Sequence, residues 1–331
     1  MVLYENIKSI HLEISTRCNA SCPDCPRNFR GVNNIIDTYP VTDMSLEQFQ
    51  KIFSVDFLTQ LNDFYINGNH GDFVTARDGL KIVKYIKQIN PKIHLRISTN
   101  ASAKPEIWDE LGRLGITVFF RLDGLKDTHT LYRLNTDYDL IIDNACKFIS
   151  AGGQATWAMI KFDHNKHQIE ACQELSKSLG FKDFSLVDVG RDTFPVFNPN
   201  KTLSHIVGDY RGSTDFNELY QQYQYYKIEP DYSIKSETSN KGIDCFSIKN
   251  KQIYVCANGE VYPCCWLGFY PLQSLASPSN IQLQPMIFKN NALEYDLEET
   301  IEWFSSIENS WAKENISAGK IYACNQVCGK E

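Results

Sequence analysis

The chain has 331 residues, 43% apolar and 22% charged, which is enough to bury a large core and too apolar for a disordered chain. Its formal charge of −7 argues against nucleic acid as a main partner, because phosphate recognition usually needs a basic face. The N-terminus, MVLYENIKSIHLEIS, lacks the apolar core and cleavage site of a signal peptide, and no apolar run reaches membrane-spanning length, so the sequence predicts a soluble cytoplasmic chain without a membrane partner.

In chain order, strand-like runs at 9–15, 63–67, 93–98, 117–122, 156–162 and 183–187 alternate with amphipathic stretches at 46–57, 78–88, 105–114 and 168–179. Ser45 and Gln48 have the spacing of a capping box at the start of the first helix. Several strands are apolar on both faces, as strands covered by helices are. Six strand–helix units imply a parallel sheet with right-handed crossovers, and six is too few for the closed eight-unit barrel. The predicted fold class is α/β, a partial (β/α)6 barrel over residues 1–200. The turn-rich FPVFNPNKT ends that pattern, and 201–243 reads as a polar, Tyr-rich linker or insertion. A smaller cysteine-rich α+β domain follows at 244–331. In it the sequence predicts a hairpin at 252–263 with a two-residue turn at Asn258 and Gly259, and a helix at 297–312.

Eleven cysteines, an odd number, point to thiolate ligation of metal rather than disulfides in a reducing compartment. Cys18, Cys22 and Cys25 follow the first strand as CNASCPDC. Three thiolates fall short of the four that close a structural zinc site, but they suit three irons of a four-iron cluster and leave the fourth iron open. A zinc knuckle or three unrelated thiols is the alternative.

This CxxxCxxC motif after the first of six strand–helix units resembles the radical S-adenosylmethionine superfamily. The resemblance implies a [4Fe-4S] cluster whose open iron chelates the amino and carboxylate groups of S-adenosylmethionine. Reductive cleavage then gives a 5′-deoxyadenosyl radical that abstracts a hydrogen atom from a substrate. Asp24 departs from the family, which often has an aromatic residue before the third cysteine.

By the same resemblance, the glycine-rich segment after the second strand would bind the methionine ammonium through Asn67, Gly68 and Asp72. A tight strand–helix turn is the plainer reading of that segment. Ser98 and Asn100 resemble the place that binds ribose hydroxyls, with a helix cap as the alternative. Arg121 is the candidate clamp for the methionine carboxylate, and Asp123 a candidate contact to ribose or substrate. Both could instead form a structural salt bridge. His129 and Arg133 follow this strand. Lys161 and Asp188 end the fifth and sixth strands, where Asp188 is a candidate catalytic group. His164 and His167 read as solvated, and Cys146 and Cys172 as buried small hydrophobes.

Cys245, with thirteen residues before Gly259 and Cys264 five beyond it, resembles the opening of the auxiliary-cluster (twitch or SPASM) domain. Cys324 and Cys328 complete four ligands for one auxiliary [4Fe-4S] cluster, with a four-thiolate zinc site as the alternative. The glycine spacing selects Cys264 over Cys265. Cys256 is a candidate hydrogen-atom donor. These elements imply an external one-electron reductant. The substrate reading is a peptide or protein, with the auxiliary cluster as electron acceptor or substrate anchor. A small molecule such as an aminocyclitol or sugar alcohol, oxidised or epimerised, is the alternative; it is motivated by a first strand so early that it leaves no room for a leader-binding domain. A non-catalytic zinc- or thiol-rich scaffold is the reading from another class. Oligomeric state is not legible.

Overall fold

Short apolar runs separated by amphipathic stretches become six strands in sequence order. They are β1 (Ser9–Leu12), β2 (Asp63–Ile66), β3 (His94–Thr99), β4 (Thr117–Arg121), β5 (Gln154–Ile160) and β6 (Asp183–Val187). The computed structural model describes residues 3–32, 41–188, 193–228, 242–273, 278–316 and 318–330. Pairing is parallel from β3 through β6, with Arg96 opposite Thr117, Thr117 opposite Gln154 and Thr156 opposite Asp183. All four residues of β1, Ser9 and His11 included, and six of the seven in β5 are buried, as strands covered on both faces are.

Further on come β7 (Phe194–Phe197), β8 (Leu203–Val207), β9 (Gly242–Ile243), β10 (Gln252–Val255), β11 (Val261–Tyr262) and β12 (Gly329–Lys330). The main sheet has the order β11-β10-β1-β2-β3-β4-β5-β6. The C-terminal hairpin is thus part of that sheet: β10 lies parallel to β1, Ser9 facing Gln252 and Leu12 facing Val255. The physical reason is β1 itself, a fully buried strand whose unpaired edge would leave its backbone groups without partners. The hairpin loop has three residues, not the expected two. Cys256 N donates to Glu260 O (2.8 Å), Gly259 N donates to Cys256 O (3.0 Å), and Gly259 takes φ 88°, the left-handed bulge position that glycine fills without strain.

The capping box forms: Ser45 accepts from Gln48 N, and the Gln48 side chain accepts from Ser45 N. The predicted helix 46–57 is two helices, Leu46–Ile52 and Val55–Gln60. Ser54 breaks it, since its side chain caps Phe57 N instead of sitting in a helix interior. Helix 105–114 shortens to Trp108–Arg113, and 297–312 becomes a 3₁₀ turn at Glu299–Ile301 and a helix at Phe304–Trp311. The stretch expected to be turn-rich forms the antiparallel β7–β8 hairpin, with Phe194 and Val196 packed against Ala20, Cys22 and Tyr132. The Tyr-rich stretch forms the helix Phe216–Ile228, whose buried Phe216 meets Phe29 and Phe197 edge-on.

Chain contacts define two compact units: residues 1–13, 44–64 and 221–331, and residues 14–43 and 65–220. Each holds one of the two cysteine groups. Among the described residues no helix is long and apolar enough to cross a membrane.

Candidate functional site

The loop after β1 is shaped by its own short-range hydrogen bonds. Cys25 N donates to Cys22 O (3.0 Å), Asn28 N donates to Cys25 O (2.9 Å), and Asn28 Nδ2 donates to Cys22 O (3.3 Å). Ser21 N donates to Leu134 O (2.9 Å) and Asn135 Nδ2 to Ser21 Oγ (2.6 Å). So held, Cys18, Cys22 and Cys25 all line one cavity of about 310 Å³. That volume is in the range of small-molecule sites, roughly 300–1,000 Å³. Its other walls are the C-terminal strand ends: residues 67–72 after β2, Ser98 to Asn100 on β3, Arg121 on β4, Ile160 on β5 and Val187 on β6.

The sulfurs receive hydrogen bonds, that of Cys25 from the Arg27 backbone. Ala20 N donates to Cys18 Sγ (3.4 Å), as does Asn100 Nδ2 (3.7 Å), and Arg133 Nη1 donates to Cys22 Sγ (3.7 Å). Burial pushes all three thiols up, Cys25 to about 12, so near neutrality they keep their protons until a metal displaces them. Among the described residues no group of three or more His, Cys, Asp or Glu side chains could hold a metal ion. A cluster asks something different of its ligands, since each thiolate takes its own iron and the sulfurs need not converge on one point.

The segment after β2 is clamped to the cysteine loop. A Cβ on Gly71 would stand 1.7 Å from the Ser15 carbonyl oxygen, so only glycine permits this approach. Asp72 N (2.8 Å) and Thr75 Oγ1 (2.6 Å) donate to Arg17 O, and Arg27 Nη1 donates to His70 O (3.0 Å). The Asp72 carboxylate already accepts from Val74 N (3.1 Å), Thr99 Oγ1 (2.5 Å) and Asn100 N (2.8 Å), which ties the end of β3 to this loop. Ser98 pairs across the strands with Phe119, and Arg121 lies two residues on, so both face the cavity; Arg121 Nε donates to Ser98 Oγ (2.7 Å).

Asp123 stands apart from these. It is fully buried and does not line the cavity; Oδ1 accepts from Ile160 N (2.6 Å) and Oδ2 from Arg133 Nε (2.6 Å). Of the two readings made for it, the geometry is that of the structural salt bridge. Arg133, which sequence reasoning named without a role, is the side chain this pair delivers to the cavity wall. Its only sequence signal was its place after the fourth strand. Behind it, Asp123 N donates to His129 Nδ1 (3.1 Å), and burial pushes that imidazole down to about 4. A neutral ring accepting at Nδ1 carries its hydrogen on Nε2, toward Thr136 Oγ1 at 3.1 Å. Asp188 is exposed, ion-paired with Lys161 and outside the cavity lining. His164, expected in solvent, stacks on Phe162 at 5.1 Å with both ring nitrogens buried.

In the other unit, Cys245, Cys264, Cys324 and Cys328 line one small pocket of about 20 Å³ together with Ile243, Leu267, Ile307, Trp311 and Val327. Cys245 precedes the helix Phe246–Lys249, and Cys324 and Cys328 lie one turn apart on the helix Tyr322–Cys328. The β9–β12 pair sets Ile243 opposite Gly329, and Asp244 N donates to Cys328 O (2.8 Å). Cys328 donates its thiol hydrogen to Cys245, which lowers Cys245 and raises Cys328. Cys264 closes the hairpin and faces the pocket, whereas Cys265 starts the helix Cys265–Gln273 and does not line it. Cys256 is 2% exposed and lines neither cavity, so its thiol does not face a bound molecule in either.

No family model matches this chain, and no curated protein does. Solved structures match it at low identity. SuiB of Streptococcus suis bound to S-adenosylmethionine is similar at 15% identity and a TM-score of 0.54, over 94% of this chain and 71% of that one. SuiB bound to precursor peptide SuiA is similar at 16% and 0.54, over 96% and 68%. The native anSMEcpe with bound AdoMet and the Cp18Cys peptide is similar at 16% and 0.55, over 98% and 91%. The chain shares the fold of these structures, a parallel sheet with a cavity at its strand ends.

Proposed function

We propose that this chain is a radical S-adenosylmethionine enzyme that abstracts a hydrogen atom from a peptide or protein substrate. The observation that carries the reading is three thiols and a ring of polar strand ends on one cavity. The donor set suits a [4Fe-4S] cluster: Cys18, Cys22 and Cys25 would each hold one iron, leaving one for a ligand. With an electron from an external reductant, that cluster supplies cleavage of the sulfonium bond of S-adenosylmethionine and hence the 5′-deoxyadenosyl radical. The chain's own part is orientation and exclusion of water. Arg121 would pair with the methionine carboxylate, and the carbonyls of Asn67 and Gly68 would accept from its ammonium. Ser98 and Asn100 would meet the ribose. Asp72, on the cavity wall, joins β3 to the glycine loop and would add a carboxylate for the methionine ammonium, while Asp123 acts one layer back and holds Arg133 against Cys22.

Cys245, Cys264, Cys324 and Cys328 would hold one auxiliary [4Fe-4S] cluster within the 244–331 domain, as electron acceptor or substrate anchor. Support for a peptide comes from SuiA bound to SuiB and the peptide bound to anSMEcpe. The test is oxygen-free reconstitution with iron and sulfide. About eight irons per chain, deoxyadenosine formed on reduction and its loss in Cys22→Ala are expected. Iron-free protein, or deoxyadenosine formation unchanged in Cys22→Ala, would overturn the reading. Stimulation of cleavage by a small molecule and not by peptides would replace the substrate class alone.

A further inference from the structure

The pocket of Cys245, Cys264, Cys324 and Cys328 is lined by apolar side chains and by Trp311, which carries a polar N–H. Trp311 Nε1 is buried and makes no hydrogen bond of good geometry to any protein acceptor, while its ring lines the pocket beside Cys324. Ser247 Oγ, two residues past Cys245, is likewise buried without an acceptor of good geometry. An enclosed N–H without a partner costs about 1–3 kcal/mol, so such groups persist where something accepts from them. The pocket that Trp311 lines offers an acceptor in the sulfur of Cys324.

We infer that Trp311 is a positioning residue for the auxiliary cluster, donating its indole N–H to the sulfur of Cys324. This rests on the four-thiolate reading made above and adds a residue to it. A hydrogen bond to a ligand sulfur stabilises the more negative, reduced cluster and therefore raises its potential. The effect suits a centre that accepts an electron.

The experiment uses the reconstituted full chain in a Cys22→Ala background, so that the auxiliary cluster is the one observed. Trp311→Phe keeps the bulk and removes the N–H. The expected result is retained iron, with the reduced-to-oxidised ratio at a fixed potential falling about tenfold, equivalent to about 59 mV for one electron. Electron paramagnetic resonance during a redox titration reads it. An unchanged potential with the cluster intact would overturn the inference while leaving the cluster standing. If Trp311→Phe loses its iron, Trp311→His, which restores a ring N–H, is the second variant: regained iron supports the inference, and failure of both overturns it. A parent chain without iron in this unit would instead remove the four-thiolate cluster reading itself.

Discussion

Cys18, Cys22 and Cys25 come from one loop and face a cavity edged by asparagine, serine and arginine; Cys245, Cys264, Cys324 and Cys328 come from three separate segments and face a pocket walled by isoleucine, leucine and tryptophan. The difference teaches two things. Three thiols with polar neighbours suit a centre that must also hold a charged ligand, whereas four thiols in apolar surroundings leave no corner for one. The first set is arranged by hydrogen bonds within a few residues, so its spacing is legible in the sequence. The second is assembled by the β9–β12 pairing and the turn of a helix, so its members are named in the sequence through a resemblance rather than through local geometry.

The comparison breaks most sharply at the cysteines. Cys22→Ala is expected to lower deoxyadenosine formation at least a thousandfold. Cys324→Ala should leave that cleavage in place but uncouple it, with no modified substrate; chromatography of both products distinguishes them. Intact turnover in Cys324→Ala would make the second site dispensable.

Next in size is Gly71→Ala. The added Cβ meets the Ser15 backbone, which cannot yield without moving the strand that leads to Cys18. A loss of about 3 kcal/mol is expected in denaturant unfolding, together with weaker cluster retention in the first site only. A mild loss would mean that the glycine loop can back away.

A pH scan sharpens the contrast through His129, which supports the first site and has no counterpart in the second. Above about pH 6.5 the ring is neutral in folded and unfolded chain alike, and its contribution is whole. Between 6.5 and about 4 the unfolded chain takes up a proton that the buried ring refuses, so stability falls as pH falls. The loss is about 3 kcal/mol at the acid end, at 1.36 kcal/mol per pH unit. His129→Asn, which keeps an acceptor for Asp123 N, should reduce the slope in that window, leaving the share of the buried His70; an unaltered slope would show that the ring is not held neutral.

The smallest effect is expected at Cys265. Cys264→Ser should remove iron from the second site, while Cys265→Ser changes the iron count little, because Cys265 does not line the pocket. Equal losses would mean that either neighbour can serve.

Much of the first site is legible in the amino-acid sequence. The six strands, the capping box at Ser45 and the cysteine loop depend on near neighbours, as do the polar strand ends. The features that are not legible are non-local. The Asp123–Arg133 pair joins residues ten apart across a helix and a turn, and it delivers to Cys22 a guanidinium whose role spacing alone does not reveal. Asp188 has the sequence position of a rim residue, yet Lys161 draws it aside.

Local chemistry in the chain was sufficient to determine a parallel α/β sheet, a three-thiol loop at the end of its first strand and the roster of further thiols. Tertiary structure alone decided that Asp123 holds Arg133 against Cys22, that β10 covers the edge of β1, and that the FPVFNPNKT stretch starts a hairpin packed near Cys22. The physical reason is range: caps, turns and strand periodicity are settled within a few residues, whereas edge pairing, ion pairing and shared pockets depend on groups the chain brings together from far apart.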